Sequence, residues 1–254
     1  MANTYSDIEV ISFKEIDSTN NEASRRIDKE TALPYWIVSD KQTAGRGRHN
    51  RYWDSSEGNF MGTYILIIEG EKKILPQLSF VSALAIYNSI LEFKPNINNS
   101  SIKLKWPNDI VINDKKCGGI LIENLSSEGN FLHKIAIGIG VNLITSPSHT
   151  TNLQSGSVGD EFGISLGRDD FLIAVNSNIL KVISVWDKGK NYKEILNLWV
   201  PKAYLLGKEI SVTLPGGAKE QGTFSSIDGE GGLILLNKKG RRKVFYAAEI
   251  FENL

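Results

Sequence analysis

The sequence has little of what builds disulfides, zinc sites or membrane spans. A single cysteine, Cys117, excludes an internal disulfide. The three histidines, His49, His133 and His149, lie far apart without the HExxH or CxxC spacing of common zinc sites. No run approaches ~18 uninterrupted apolar residues, and the first residues, MANTYSDIEVISF, lack the apolar run of a signal peptide. These features predict a cytoplasmic protein.

An excess of charge of one sign is also lacking. The 29 Lys and Arg residues balance 29 Asp and Glu residues, which excludes bulk electrostatic attraction to nucleic acid or to an anionic membrane. Hydrophobic residues make up 41% and charged residues 23% of the chain, so a sizeable core is expected and global disorder is excluded. The length of 254 residues fits one large domain, alone or with a small companion.

The pattern of apolar residues changes near residue 205. Before this point it predicts strands at Glu9–Ile16, Tyr35–Asp40, Phe60–Ile68, Ile102–Trp106, Asp109–Asn113, Cys117–Glu123 and Lys134–Leu143. It also predicts helices after Asn20, after Pro76, over Asp169–Trp186 and over Tyr192–Trp199. The later residues predict short strands with Gly-rich turns, as in a small barrel, at Ile210–Leu214, Gln221–Ile227, Leu233–Leu236 and Arg242–Tyr246. We therefore expect domains over residues 1–203 and 204–254. Surface loops are expected at Asn96–Ser101 and Thr145–Gly159.

The segment GRGRHNRYW, residues 45–53, indicates anion binding. Three arginines within six residues, two of them flanked by glycine, allow three guanidinium groups to converge on one phosphate. Two alternatives are a solvated basic loop and an RG-type segment that contacts RNA. The position of the segment between two predicted strands argues against an RG tail, which is normally terminal and repeated.

Three further motifs follow in order. KWPND, residues 105–109, joins two predicted strands, and KCGG, residues 116–119, pairs a lysine with two glycines that permit close approach of a ligand to the backbone. The alternatives are a simple turn at Asn108-Asp109 and a solvated hairpin lysine at Lys116. IGIGVNL, residues 137–143, lacks the third glycine and the following helix of GxGxxG, and no GxxxxGK[ST] occurs, so Rossmann and P-loop sites are excluded.

These four motifs, in this order and spacing, resemble the catalytic domain of biotin protein ligases, and the resemblance covers most of the chain. It implies an α+β fold, with a mixed sheet and flanking helices like that of class II aminoacyl-tRNA synthetases and lipoate-attaching enzymes, followed by an SH3-like barrel. The implied reaction joins biotin and ATP, with Mg²⁺, into biotinyl-5′-AMP and pyrophosphate. Biotin then passes to one lysine of a biotin carboxyl carrier protein.

The resemblance also implies roles for individual residues. The ureido head of biotin would be bound by Ser18, Thr19 and Gln42, with the backbone of the Gly45 to Gly47 turn closing around it. Asn20 and Gly119 are further expected binding residues.

Positively charged side chains would bind the carboxylate of biotin and the phosphates of ATP. Arg46 would hold the biotin carboxylate, Arg48 and Arg51 the ATP phosphates, and Lys116 the charge that develops at the α-phosphate. Arg46, Arg48 and Lys116 are therefore the expected catalytic residues.

The remaining expected contacts concern the nucleotide and its metal. Trp53 would pack over the nucleotide, and Asn142 would lie near the adenine. Asn108 and Asp109 would face the phosphates, with Asp109 as a ligand of Mg²⁺.

One departure from the resemblance concerns DNA. Bifunctional members carry an amino-terminal winged helix-turn-helix of roughly 60 residues, whereas the Ser-Thr-Asn motif here begins at Ser18. We therefore expect a monofunctional form that binds no DNA. The rival functions are a lipoate ligase of the same fold and a non-enzymatic nucleic-acid-binding protein that uses the basic loop. A homodimer formed by extension of a sheet edge stays open.

Overall fold

The computed structural model describes residues 9–27, 33–96, 101–147, 153–214, 216–246 and 249–252. The strands are β1 (Val10–Ile16), β2 (Tyr35–Gln42), β3 (Phe60–Glu69), β4 (Ile102–Lys105), β5 (Asp109–Ile112), β6 (Lys115–Glu128), β7 (Leu132–Val141), β8 (Glu209–Thr213), β9 (Lys219–Ile227), β10 (Leu233–Leu236), β11 (Arg242–Phe245) and β12 (Glu249–Glu252). The helices are α1 (Thr19–Arg26), α2 (Gln77–Phe93), α3 (Val158–Phe162), α4 (Arg168–Trp186) and α5 (Tyr192–Trp199).

Two sheets organise these elements. The first has seven strands in the order β1-β2-β3-β7-β6-β5-β4, with β1 parallel to β2 and every other pair antiparallel. The second has five antiparallel strands in the order β11-β10-β9-β8-β12. The predicted fold class, a mixed sheet with flanking helices followed by a small β domain, is confirmed.

Helices α2 and α4 pack together beside the first sheet and form its main core. Pro76 directly precedes α2, as predicted, because a proline costs no intrahelical hydrogen bond at a helix start. The helical stretch Lys72–Phe93 is long and apolar enough to cross a membrane by composition, but 72% of its apolar window is buried inside the protein. This burial is typical of a core helix.

The connection between the two sheets runs along the edge of the first. Ala203 forms a parallel bridge with Leu104 of β4, and the Tyr204 amide donates to the Leu104 carbonyl at 2.9 Å. The chain then enters the second sheet at β8. The domain boundary that we expect after residue 203 falls at this contact and stays a prediction.

The prediction of a surface loop over Thr145–Gly159 is wrong for its last residues. Ser157 is fully buried and caps α3 by accepting a hydrogen bond from the Asp160 amide at 3.1 Å, and Ser155 bridges Lys116 of β6. A serine and glycine composition is typical of loops, but serine is also a favoured helix cap. Residues 148–152 of this prediction, and 97–100 of the other predicted loop, lie outside the described residues.

Two strands also differ from the prediction. Strand β6 continues past Glu123 to Glu128 because it pairs with β7 along most of its length. Strand β12 was not predicted at all, since four residues at the chain end carry too little pattern to be recognised. It exists through its pairing with β8.

Candidate active site

One cavity of about 570 Å³ brings the motifs together. Its walls come from the start of α1, the arginine segment, β4 to β7 and Ile250 of the second sheet. The predicted site residues that line it are Ser18, Thr19, Asn20, Gln42, Arg46, Gly47, Arg48, Arg51, Trp53, Asn108, Asp109, Lys116, Gly119 and Asn142. Gly45 lies outside this lining, at the base of the loop, where its carbonyl accepts from the Trp53 amide at 2.9 Å.

The start of α1 forms a neutral, polar part of the cavity. The Thr19 amide donates to Oε1 of Gln42 at 2.8 Å, and Nε2 of Gln42 donates to the Ser55 hydroxyl at 2.9 Å. Ser18 precedes the helix, and its side chain makes no capping hydrogen bond. This arrangement orients both ends of the Gln42 amide and suits an uncharged group with matching donors and acceptors.

Asn20 is fixed in the same network by two residues that sequence reasoning missed. The buried Thr63 hydroxyl donates to Oδ1 of Asn20 at 2.6 Å, and Nδ2 of Asn20 donates to Glu123 at 2.7 Å. These partners assign the two ends of the Asn20 amide without ambiguity. Thr63 lies in the middle of an apolar strand and Glu123 at a predicted strand end, so neither carried a sequence signal.

Glycines form a flat floor across neighbouring strands. Gly119 of β6 lies opposite Gly140 of β7, and the Trp53 ring lies across both, so that a Cβ on Gly140 would come within 2.6 Å of Nε1 of Trp53. A Cβ on Gly138 would come within 2.4 Å of Oδ1 of Asn20. The glycines of the IGIGVNL motif therefore leave space for the side chains of Asn20 and Trp53.

The arginine segment is a compact hairpin. The Gly47 amide donates to the Arg51 carbonyl at 2.7 Å, and Arg46 pairs with Tyr52. Between them the chain turns through His49 and Asn50, both with φ of 56°.

Within this hairpin the Arg46 guanidinium already has protein partners. It donates to both carboxylate oxygens of Glu123, at 2.6 and 2.9 Å, and to Asn21. Four of the five N–H donors of a guanidinium are thereby used. The expectation that Arg46 binds a ligand carboxylate stays a prediction, with one N–H left for it.

Cations surround the Asp109 carboxylate at the other side of the cavity. Nζ of Lys116 lies 2.7 Å from Oδ1 of Asp109, and Arg48 and Arg51 complete the cluster. Burial lowers the pKa of Arg48, the Asp109 charge opposes this shift, and the Arg51 charge adds to it. Lys116 is therefore paired, and the interpretation as a solvated hairpin residue does not hold.

Lys105 is a further cation that the expected site did not include. It lies opposite Asp109 across β4 and β5 and is only 8% exposed. Burial lowers the pKa of Lys105, and the positive charges of Lys116 and Arg51 lower it further. The negative charge of Asp109 opposes this shift. Its signal in the sequence was its place at the head of KWPND, directly before the turn. The excess of cations over carboxylates suits a bound polyanion.

Comparison with known proteins agrees with this geometry. Residues 12–142 match the Biotin/lipoate A/B protein ligase family, and residues 205–251 match the Biotin protein ligase C terminal domain. The chain is 36% identical to the biotin–[acetyl-CoA-carboxylase] ligase of Paracoccus denitrificans, over 92% of this chain and 97% of that protein. It is 30% identical to the bifunctional ligase/repressor BirA of Bacillus subtilis, over 92% of this chain and 71% of that protein.

Solved structures give the same result. The biotin protein ligase of Aquifex aeolicus in complex with biotin and ATP superposes with a TM-score of 0.77 at 27% identity, over 95% of this chain and 97% of that chain. The biotin protein ligase of Leishmania major in complex with biotinyl-5-AMP superposes with a TM-score of 0.65 at 26% identity, over 94% and 99%. The chain belongs to the biotin/lipoate A/B protein ligase family, and within it to the biotin protein ligases.

Proposed function

We propose that the protein activates biotin with ATP to biotinyl-5′-AMP and pyrophosphate, then transfers biotin to a lysine of a biotin carboxyl carrier protein. One observation carries this proposal: a single cavity joins a neutral polar part, at Thr19 and Gln42, to a cationic part, at Arg48 and Lys116. Biotin has a neutral bicyclic head and an anionic tail, and ATP supplies a second anion. The named ligands of the Aquifex and Leishmania relatives support the same substrates.

The chemistry of adenylation fits this set of residues. A carboxylate with an ordinary pKa of about 4 is already ionised at pH 7, so its oxygen attacks the α-phosphorus without a general base. The difficulty is the approach of two anions, and pyrophosphate must leave with its negative charge. Fixed cations such as Arg48, Arg51 and Lys116 lower this barrier electrostatically.

The neutral part of the cavity would set the position of biotin. In this proposal Ser18, Thr19, Asn20 and Gln42 bind the ureido head, and Trp53 and Asn142 lie along the nucleotide. Gly45 contributes backbone geometry behind the cavity. The polarity of these groups favours a urea over a purely apolar ring, because an unpaired buried polar group costs about 1–3 kcal/mol.

Asp109 fits a magnesium ion that arrives with the nucleotide. The described residues contain no cluster of three or more His, Cys, Asp or Glu side chains that could hold a metal. Mg²⁺ is commonly bound through one or two carboxylates together with substrate phosphates, so the Asp109 carboxylate among phosphate-binding cations suits it. When bound, the ion neutralises phosphate charge, and Asp109 with Asn108 would hold it.

The second half-reaction requires a neutral lysine on the carrier protein. Its amine attacks the carbonyl carbon of the mixed anhydride, the bond from that carbon to the phosphate oxygen breaks, AMP leaves, and the nitrogen gives up one proton to solvent as the amide forms. Water in the cavity would hydrolyse the anhydride, so exclusion of water by the arginine hairpin is part of the proposal. We further propose a cytoplasmic location; the expected lack of DNA binding stays a prediction.

Pyrophosphate exchange into ATP tests the proposal. Purified protein with Mg²⁺ and ATP is incubated with biotin, with lipoate and with neither acid, and labelled pyrophosphate is followed into ATP. Exchange that requires biotin is the expected result. Exchange with lipoate alone would indicate that the protein is a lipoate ligase. If no exchange occurs and the protein binds nucleic acid with an affinity that falls steeply as salt rises, the result would favour a non-enzymatic nucleic-acid-binding protein.

A further inference from the structure

A turn of the second domain contacts the wall of the cavity. Nε1 of Trp106 donates a hydrogen bond to the carbonyl of Gly231 at 2.9 Å, across 125 residues of sequence. Trp106 belongs to the KWPND motif, lines the cavity and is 2% exposed. The second domain therefore reaches the motif that carries Asn108 and Asp109.

Several hydrogen bonds hold the turn that presents Gly231. Oδ1 of Asp228 accepts from the amides of Glu230 and Gly232, at 2.9 and 2.7 Å, and Oδ2 accepts from the Tyr246 hydroxyl at 2.8 Å. The Gly231 amide also donates to the Asp228 carbonyl at 3.1 Å. Because these hydrogen bonds fix the turn to its own domain, a shift of that domain would also shift the Gly231 carbonyl that Trp106 contacts.

Gly231 is also tightly enclosed by the first domain. Its φ of +89° lies in the region that favours glycine, and a Cβ would come within 2.9 Å of the Tyr192 hydroxyl and 3.1 Å of the Phe80 ring. Phe80 of α2 and Tyr192 of α5 contact each other edge to face, with ring centroids 5.8 Å apart. A larger residue at 231 must therefore move the turn, and with it the acceptor of Trp106.

The rest of KWPND is held by the first domain. The Ser79 hydroxyl donates to the Pro107 carbonyl at 2.7 Å, and Nδ2 of Asn108 donates to the Ile120 carbonyl at 2.7 Å. The Trp106 side chain, by contrast, donates its hydrogen bond to the second domain. It links the position of that domain to the two residues that follow Pro107.

We propose that Trp106 and Gly231 are positioning residues through which the second domain sets Asn108 and Asp109 for the nucleotide. The inference rests on the proposed adenylation. Neither residue is required to touch the reacting atoms. Their effect acts on the nucleotide side of the cavity and spares the biotin head, whose ligands lie on α1 and β2.

Two substitutions test this inference. Trp106→Phe removes the indole donor and keeps an aromatic ring, and Gly231→Ala displaces the turn. We expect each to raise KM for ATP by about tenfold, the equivalent of one lost hydrogen bond of roughly 1.4 kcal/mol, and to leave the Kd for biotin alone within about twofold. Gly240→Ala is the matched control, because Gly240 also has positive φ, +73°, in a turn of the same domain but no atom lies near its Cβ position. It should leave both constants unchanged.

A second readout separates this inference from the proposed function. Amide hydrogen exchange at Asn108 and Asp109, measured without substrates, should quicken in Trp106→Phe and Gly231→Ala but not in Gly240→Ala. Wild-type protein without biotin-dependent exchange of pyrophosphate would refute the function, whereas unchanged amide exchange in both variants would refute the positioning role. Equal losses of biotin and ATP affinity would also overturn it, because they would indicate general destabilisation.

Discussion

Nζ of Lys116 and Oδ1 of Asp109 lie 2.7 Å apart on neighbouring strands inside the cavity. The pair keeps the ammonium in place before any substrate arrives, so little side-chain entropy is lost when a phosphate approaches. The same carboxylate also lies across the strands from Lys105. The cavity is therefore preorganised for an anion and is not a set of free basic side chains.

Replacing Lys116 tests its role on developing charge. In Lys116→Ala we expect kcat for adenylation to fall by about 100-fold or more, with biotin affinity changed only modestly, because the charge matters most in the transition state. Single-turnover formation of biotinyl-AMP measures this. Lys115→Ala is the control, since Lys115 is paired with Glu161 at 2.7 Å outside the cavity lining. An unchanged rate in Lys116→Ala would contradict the assignment.

Arg48 gives a second test on the same reaction. Arg48→Ala should lower pyrophosphate exchange by about 100- to 1,000-fold, the scale of one lost preorganised electrostatic contact. Its thermal unfolding temperature should stay within about 2 °C of wild type, because a partly exposed loop residue contributes little to the core. The exposed Arg241 serves as control through Arg241→Ala. A fully active, stable Arg48→Ala protein would show that the basic loop has only a solvated role.

The glycine floor predicts an effect confined to biotin. Gly138→Ala places a methyl group 2.4 Å from Oδ1 of Asn20 and must disturb the Thr63 and Glu123 contacts of that amide. We expect the Kd for biotin to rise by about 10- to 100-fold through lost buried hydrogen bonds. Gly129→Ala, at the β6–β7 turn with open space around it, should leave the Kd unchanged. Calorimetric titration with biotin measures both, and equal affinities would rule out the proposed biotin end.

The thiol of Cys117 predicts a pH dependence of stability. Burial raises its pKa from 9.0 to about 12, so the folded protein keeps the proton while the unfolded chain loses it near pH 9. The unfolded state then binds fewer protons, and the free energy of unfolding falls as pH rises from about 9 toward 12, by at most about 1.4 kcal/mol per pH unit. Urea unfolding at pH 7 and pH 10 should show this loss in wild type and a smaller one in Cys117→Ala. An identical loss in both proteins would assign it to other groups.

The motifs of the site were predictable because each joins a strand to a turn with glycine or proline. Such junctions can be recognised from the sequence alone. KWPND and KCGG lie on β4 to β6, as the pattern indicates. Thr63 and Glu123 were not predictable, because their roles exist only through Asn20 and Arg46, which lie far away in the sequence.

The protein partner of Arg46 was likewise not predictable from the sequence. The sequence predicts that Arg46 binds the biotin carboxylate, which stays a prediction; in the structure the guanidinium pairs with Glu123 of the protein itself, 77 residues away. The buried end of the predicted loop, at Ser157, differs for a related reason: polar composition does not distinguish a solvated loop from a buried helix cap.

The contact of Ala203 and Tyr204 with Leu104 covers part of an edge of the first sheet that could otherwise pair with another molecule. Strand β4 ends the order of the first sheet, and an uncovered edge strand offers unpaired amides and carbonyls to other chains. Here the incoming connection occupies the middle of that edge. The linker to the second domain thus covers part of this edge, and we expect a protein cut before residue 203 to expose the Leu104 backbone to pairing with other chains, in addition to losing the cavity wall at Ile250.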